Sequence, residues 1–178
     1  MEIRLRGCTI RSWRKDDVDS IVRLADNPAV ARNLRDRFPH PYGRKDAKAW
    51  IRAARAAHPE TAFALEVDGA AVGGIGLHPQ DDVHRRSMEI GYWLGEPYWG
   101  RGIVTEAVRA LTRYAFETFD VARVYAYVYE WNPASARVLE KAGYRLEGRL
   151  RKAVTKEGTT MDMLVYGFTE DDLEREGA

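Results

Sequence analysis

The sequence predicts an α/β (α+β) protein: a single domain over residues 1–178, with a mixed, mostly antiparallel sheet and helices on both faces. Three observations predict it. Strand-like and helix-like segments follow one another in the order β-α-α-β-β-β-α-β-α-β-β. Tight-turn signals, "DG" at 68–69 and "KEG" at 156–158, join neighbouring strand patterns as hairpins. Two helical patterns then connect strands as crossovers, which calls for a mixed sheet. At 178 residues the chain is about the size of one ordinary domain, and no repeat or Pro/Gly/Ser-rich linker divides it.

The elements follow in chain order. "CTIRSW" alternates and reads as a first strand. Asp16 or Asp17 caps a short helix through Val18, Ile21, Val22 and Ala25. "DNPAV" interrupts it, and "RDRFPHPYGR" is a loop. The next helix starts near Lys45 and spaces Ala47, Trp50, Ile51, Ala54 and Ala57 helically. "TAFALEV" and "AAVGGIGLHP" form a hairpin, and "RSMEIGYWLG" a third strand. Its alternation puts Met88, Ile90 and Tyr92 on one face, and Glu89, Gly91 and Trp93 on the other. A long helix follows with Val104, Ala107, Val108, Leu111, Ala115 and Phe119 as its stripe. "RVYAYVY" is a strand, "PASARVLEKAG" a short helix, and "YRLEGRLRKAV" pairs with "TMDMLVYGF".

Composition excludes several classes. Hydrophobic content of 45% and charged content of 31% describe a soluble globular chain. Lys and Arg number 28 against 27 Asp and Glu, a net charge of +1, so no broad affinity for nucleic acid or membrane is expected. The single cysteine, Cys8, rules out an intrachain disulfide framework and a cysteine metal cluster. His40, His58, His78 and His84 show no metal spacing and read as surface or loop residues; no metal is expected. The N-terminal residues are too charged for a signal peptide and no apolar run reaches spanning length, so the expected location is cytoplasmic.

One stretch carries chemistry. In "YWGRGIVTEA" a glycine-containing turn leads from a strand into a helix. The first N–H groups of a helix lack internal partners and carry the positive end of its dipole, so such a turn can cradle an anion. Gly100 and Gly102 allow close approach, while Arg101 either adds charge or points to solvent. No Lys-Ser/Thr follows for a Walker motif, and no third glycine completes a dinucleotide fingerprint. On this stretch alone, a tight turn that simply needs glycine stands beside the anion cradle.

A second stretch, "EWNPASARVLEKAGYRLEG", places Asn132 at a strand end, Pro133 at a first helical position and Gly143 at a helix end. With "PYGRKDAKAWI", "MEIGYWL" and "YWGRGIVTEAV", it resembles the GCN5-related N-acetyltransferase (GNAT) superfamily, and within it the RimJ/RimL type of ribosomal-protein N-terminal acetyltransferases. The resemblance covers nearly the whole chain. It implies a splayed central strand pair and acetyl-CoA as co-substrate, its pyrophosphate held on backbone N–H groups of Trp99, Gly100, Arg101, Gly102, Ile103 and Val104. The pantetheine arm would pair with the backbone near Trp93 and Leu94. Trp99 and Val104 depart from the superfamily's usual Gln/Arg and Gly/Ala. Val104 is expected to pack inward, since it begins the helix's apolar stripe.

For catalysis the resemblance points to Glu89 as base, directly or through water, against a plain strand carboxylate or an arginine partner. Where many relatives place a tyrosine this chain has Leu139, which donates no hydrogen bond. Ser135 is the candidate donor to the leaving thiolate, against an ordinary first-turn serine. Asn132 is expected to cap its helix and reach the pantetheine arm or the acceptor; Tyr92 and Trp93 stay open between core, cofactor contact and acceptor wall. Glu106 is read as favouring the helix dipole. The acceptor is an amine: a protein N-terminus, a polyamine, an amino acid or another small amine. "RNLRDRFPHPYGR", with Arg32, Arg35, Arg37, Arg44, Phe38 and Tyr42, would suit an acidic or aromatic acceptor, or be a solvated loop. A homodimer follows from resemblance only. The alternatives are a non-catalytic acyl-CoA-binding or regulatory module on the same fold, and a phosphate-binding protein unrelated to CoA.

Overall fold

A computed structural model describes residues 1–177. The strands are β1 (Glu2–Arg4), β2 (Thr9–Ser12), β3 (Ala62–Val67), β4 (Ala70–Pro79), β5 (Ser87–Leu94), β6 (Arg123–Tyr129), β7 (Arg145–Lys156) and β8 (Thr159–Thr169). The helices are α1 (Val18–Ala25), α2 (Pro28–Ala31), α3 (Arg44–Ala56), α4 (Ile103–Thr118), α5 (Pro133–Lys141) and α6 (Glu170–Gly177). The strands hydrogen-bond in the order β1-β2-β3-β4-β5-β6-β8-β7. β1/β2, β2/β3, β3/β4, β6/β8 and β7/β8 pair antiparallel, whereas β5 and β6 are parallel. Among the described residues no helix is long and apolar enough to cross a membrane. The chain divides into two compact units, Met1–Gly76 with Tyr92–Ala107, and Leu77–Gly91 with the chain from Val108 onward.

In the first unit, α1 and α3 lay apolar stripes over β3 and β4. Val18, Ile21, Leu24 and Ala25 are buried on α1, at helical spacing, and Ala47, Ile51 and Ala54 on α3. Each fully buried side chain of the Ile or Leu class contributes about 1.5–3 kcal/mol. Trp50, expected in the stripe, lies at its margin: it is exposed, and its ring meets Trp13 edge-on at 6.5 Å. Ala57 falls one residue beyond α3. The Asp68-Gly69 turn is as expected, both residues having positive φ with Val67 opposite Ala70.

A buried ion pair ties β2 to the turn before α1. Arg11 donates to both carboxylate oxygens of Asp17, at 2.7 and 2.8 Å, and also to Glu66. Arg11 and Asp17 are almost entirely out of solvent, so losing either partner would strand a buried charge. Glu106 accepts from Gly7 N at 3.1 Å, a fastening role that needs no catalysis. Beside it, burial and then the Glu106 charge raise the Cys8 thiol to about 11.

In the second unit, β6 lies between β5 and β8. Val124, Ala126 and Val128 are buried with Tyr166 and Phe168, as are Val108, Leu111 and Ala115 of α4 and Leu139 of α5. Thr112 Oγ1 and Tyr144 Oη, both buried, share a 2.6 Å hydrogen bond. The β7–β8 hairpin turns on Glu157-Gly158, both at positive φ. The parallel register of β5 with β6 runs over Ser87↔Arg123, Met88↔Val124 and Glu89↔Tyr125. β5 continues to Leu94 and β6 to Tyr129.

Three elements add to the predicted order. β1 is a three-residue edge strand, too short to show a period. α2 is a single turn opened by Asn27, whose side chain accepts from Ala29 N, so the same "NP" that breaks α1 starts the next helix. α6 begins where Asp172 accepts from the Thr169 backbone N–H and hydroxyl, at 3.0 and 2.9 Å.

Candidate active site

The predicted site residues fall into two groups, one in each unit. In the first unit, β5 ends at Leu94, a 3-10 turn follows at Glu96–Tyr98, and α4 starts at Ile103. Gly100 and Gly102 hold φ of +75° and +77°, conformations that side chains rarely adopt. A Cβ on either would meet nothing within 4 Å, so both stand beside open space. The glycines are therefore required by the path of the main chain and not by crowding within the protein. Glu106 N is an early intrahelical donor of α4, bonding to Gly102 O at 3.1 Å. The N–H groups of Ile103, Val104 and Thr105 precede it and lack intrahelical acceptors by helix geometry. A left-handed, glycine-flanked turn ahead of those N–H groups can hold an anion by its backbone.

The side chains of this segment stabilise its shape. Trp99 Nε1 donates to Leu94 O at 2.7 Å, closing the loop from the strand end. Arg101 folds back: its Nη2 donates to Pro97 O at 3.0 Å, and its guanidinium lies 5.2 Å from the centre of the Tyr98 ring. Ile103 is buried, so only its backbone is available to a ligand; Val104 is half-buried, so Ile103 and not Val104 is the buried start of the stripe. Nearby, Arg23, Leu24, Asn27, Glu96, Pro97 and Tyr98 line an open cleft of about 460 Å³.

Trp93 joins the strand end to the loop rich in arginine. Its ring lies 5.9 Å from that of Phe38, which in turn lies 4.9 Å from Tyr42. A Cβ on Gly74 would sit 2.8 Å from Trp93 Nε1, so this glycine makes room for the indole. Sequence reasoning passed over it; the signal was the "GG" inside an otherwise continuous strand. Of the loop arginines, Arg44 is engaged with Asp19, while Arg32, Arg35 and Arg37 are exposed.

In the second unit, Glu89 is half-buried on β5, level with Tyr125 of β6. Asn132 is the N-cap of α5, its Oδ1 accepting from Ser135 N at 3.2 Å. Ser135 thus sits, half-buried, in the first turn. Leu139 is fully buried and belongs to the core. The expectation for His78 is corrected: it is a half-buried residue of β4, not a loop residue. Its place in the strand agrees with the reading of "AAVGGIGLHP" as a hairpin strand, so only its role as a surface or loop histidine is corrected. Among the described residues no group of three or more His, Cys, Asp or Glu is arranged to hold a metal ion.

The glycine loop and helix start form a left-handed turn whose backbone N–H groups can hold an anion, and it follows a strand that outruns its parallel register. Residues 8–145 match the family described as acetyltransferase (GNAT) domain, and the chain belongs to that family. It is similar to YdaF of Bacillus subtilis, provisionally named a ribosomal N-acetyltransferase: 37% identity over 112 residues, 63% of this chain. That match spans 61% of YdaF, about three fifths of its length. YokL, an uncharacterized prophage-derived N-acetyltransferase of the same organism, is 29% identical over 93% of this chain and 92% of its own. Among solved structures, Mycobacterium smegmatis RimJ in complex with CoA-disulfide superimposes with a TM-score of 0.81 at 26% identity. The match covers 97% of this chain and 88% of RimJ.

Proposed function

We propose that residues 1–178 act as one acetyl-CoA-dependent N-acetyltransferase domain whose acceptor is a protein N-terminal amine. The observation that carries the reading is the pair Gly100 and Gly102, left-handed and bordered by open space, ahead of the first turn of α4. The N–H groups from Gly100 to Val104 hold the pyrophosphate of the co-substrate. Trp93 and Leu94 offer strand backbone to the pantetheine amides, Tyr92 adjoins them, and Trp99 keeps the loop closed onto Leu94. Bound acetyl-CoA supplies an acetyl group activated as a thioester.

This chain's residues handle the protons. The acceptor must be a neutral amine to attack, and Glu89 takes its proton, directly or through a water. Asn132 fixes the first turn of α5, and Ser135 Oγ donates a hydrogen bond to the departing sulfur. Leu139 lies in the core, which leaves that task to the serine. Arg32, Arg35 and Arg37, with Phe38, form the wall that receives an acidic N-terminal segment. The name of the similar YdaF, as a ribosomal N-acetyltransferase, favours a protein acceptor over a small amine. The cytoplasm is where such an acceptor is met, and a homodimer would suit this reading.

The test is release of free CoA thiol from acetyl-CoA with N-terminal peptides, spermidine, amino acids and amino sugars as acceptors. Peptide turnover is expected, with Glu89→Gln lowering kcat by about 10²–10⁴-fold. CoA binding without turnover on any amine would make the chain a non-catalytic binding module. Preference for spermidine would overturn the N-terminal acceptor alone.

A further inference from the structure

The face of β5 that carries Glu89 holds a second side chain able to handle protons. Gln80 N donates to Ser87 O at 3.1 Å as β4 passes antiparallel along β5. Two residues further on, that register sets His78 opposite Glu89, on the same face of the sheet. Directly opposed residues have Cβ atoms about 4.5–5.5 Å apart, within side-chain reach. The imidazole leans along β5 towards Gly91, its Nε2 and Cδ2 lying 3.7 and 4.0 Å from where a Cβ on that glycine would stand. Gly91 is two residues beyond Glu89 and so shares its face. A Cβ alone would make only ordinary contact with the ring, whereas a side chain as large as leucine would push the imidazole away.

We propose that His78 is a positioning residue for proton removal, acting through Glu89. This rests on the acetyltransferase reading of the site. Histidine is the side chain suited to take up and release a proton near neutral pH, which is what the group beside Glu89 would have to do. An N–H bond of the acceptor ammonium breaks as its proton goes to Glu89. Glu89 passes it to His78, and His78 returns it to water. No electrons change hands, and both groups end as they began.

The test uses the full chain and the best acceptor from the thiol-release screen. His78→Ala and Gly91→Leu are each expected to lower kcat about ten- to a hundred-fold, leaving KM for acetyl-CoA within about two-fold. Added imidazole restores part of the activity of His78→Ala but not of Glu89→Gln. In a Glu89→Gln background, His78→Ala costs less than about three-fold, because the pair acts as a unit. A readout without substrate is the nitrogen and proton resonances of the His78 ring, expected to move in Glu89→Gln. Full kcat in His78→Ala, fully additive losses, or unmoved ring resonances would each overturn the proposal. If no amine is turned over, the acetyltransferase reading fails by itself, and the resonances still decide whether the two side chains are coupled.

Discussion

In the proposed site, the glycine loop and the Glu89 face would do their work by opposite means. In Gly100–Val104 the proposed functional groups are backbone N–H groups, and the side chains either stabilise the loop, as Trp99 and Arg101 do, or are buried, as Ile103 is. Around Glu89 the backbone is ordinary strand, and on the proposed reading the side chains carry the chemistry. A backbone site is sensitive to shape and tolerant of lost charge. A side-chain site tolerates shape changes and fails when one functional group is removed.

The strongest way to break this contrast is to change loop shape without touching charge. Gly100→Val and Gly102→Val each force a β-branched residue into a left-handed conformation, at a cost of about 1–2 kcal/mol that the loop relieves by moving. CoA affinity measured by calorimetry should fall more than about a hundred-fold, since several N–H groups are displaced together. A much smaller change is expected from Ser135→Ala, which removes one hydrogen bond of about 1–2 kcal/mol in the transition state. Steady-state kinetics should show kcat down roughly ten-fold with CoA affinity unchanged. The smallest effect belongs to Arg101→Ala: its guanidinium already bonds to Pro97 O and lies on Tyr98, so affinity should drop no more than about three-fold. Abolished binding in that variant would mean that charge, not backbone, holds the anion.

A separate measurement concerns stability alone. Arg11→Ala leaves Asp17 buried without its bidentate partner and should cost about 3–5 kcal/mol in urea unfolding. An effect below about 1 kcal/mol would show that the pair is not desolvated in solution.

The legible parts of the sequence were those where one residue type has one physical use. Asp68-Gly69 and Glu157-Gly158 turned their hairpins because both positions need positive φ. Gly100 and Gly102 marked the left-handed turn before α4 for the same reason, and Asn132 capped α5 through its side chain. Short elements left no period to read: β1 has three residues and α2 four. The cross-strand placement of His78 beside Glu89 depends on register, which no local pattern carries. Gly74 was ambiguous too, since its purpose lies in the indole of Trp93, nineteen residues on.

The burial of Cys8 has a practical consequence for measuring this protein. Burial and the Glu106 charge raise its thiol to about 11, so little of it is thiolate at pH 7, and burial closes access as well. A thiol-detecting reagent would therefore report released coenzyme A against almost no signal from the folded protein. Conversely, a rise in that background would report unfolding, so one colorimetric trace follows turnover and integrity together.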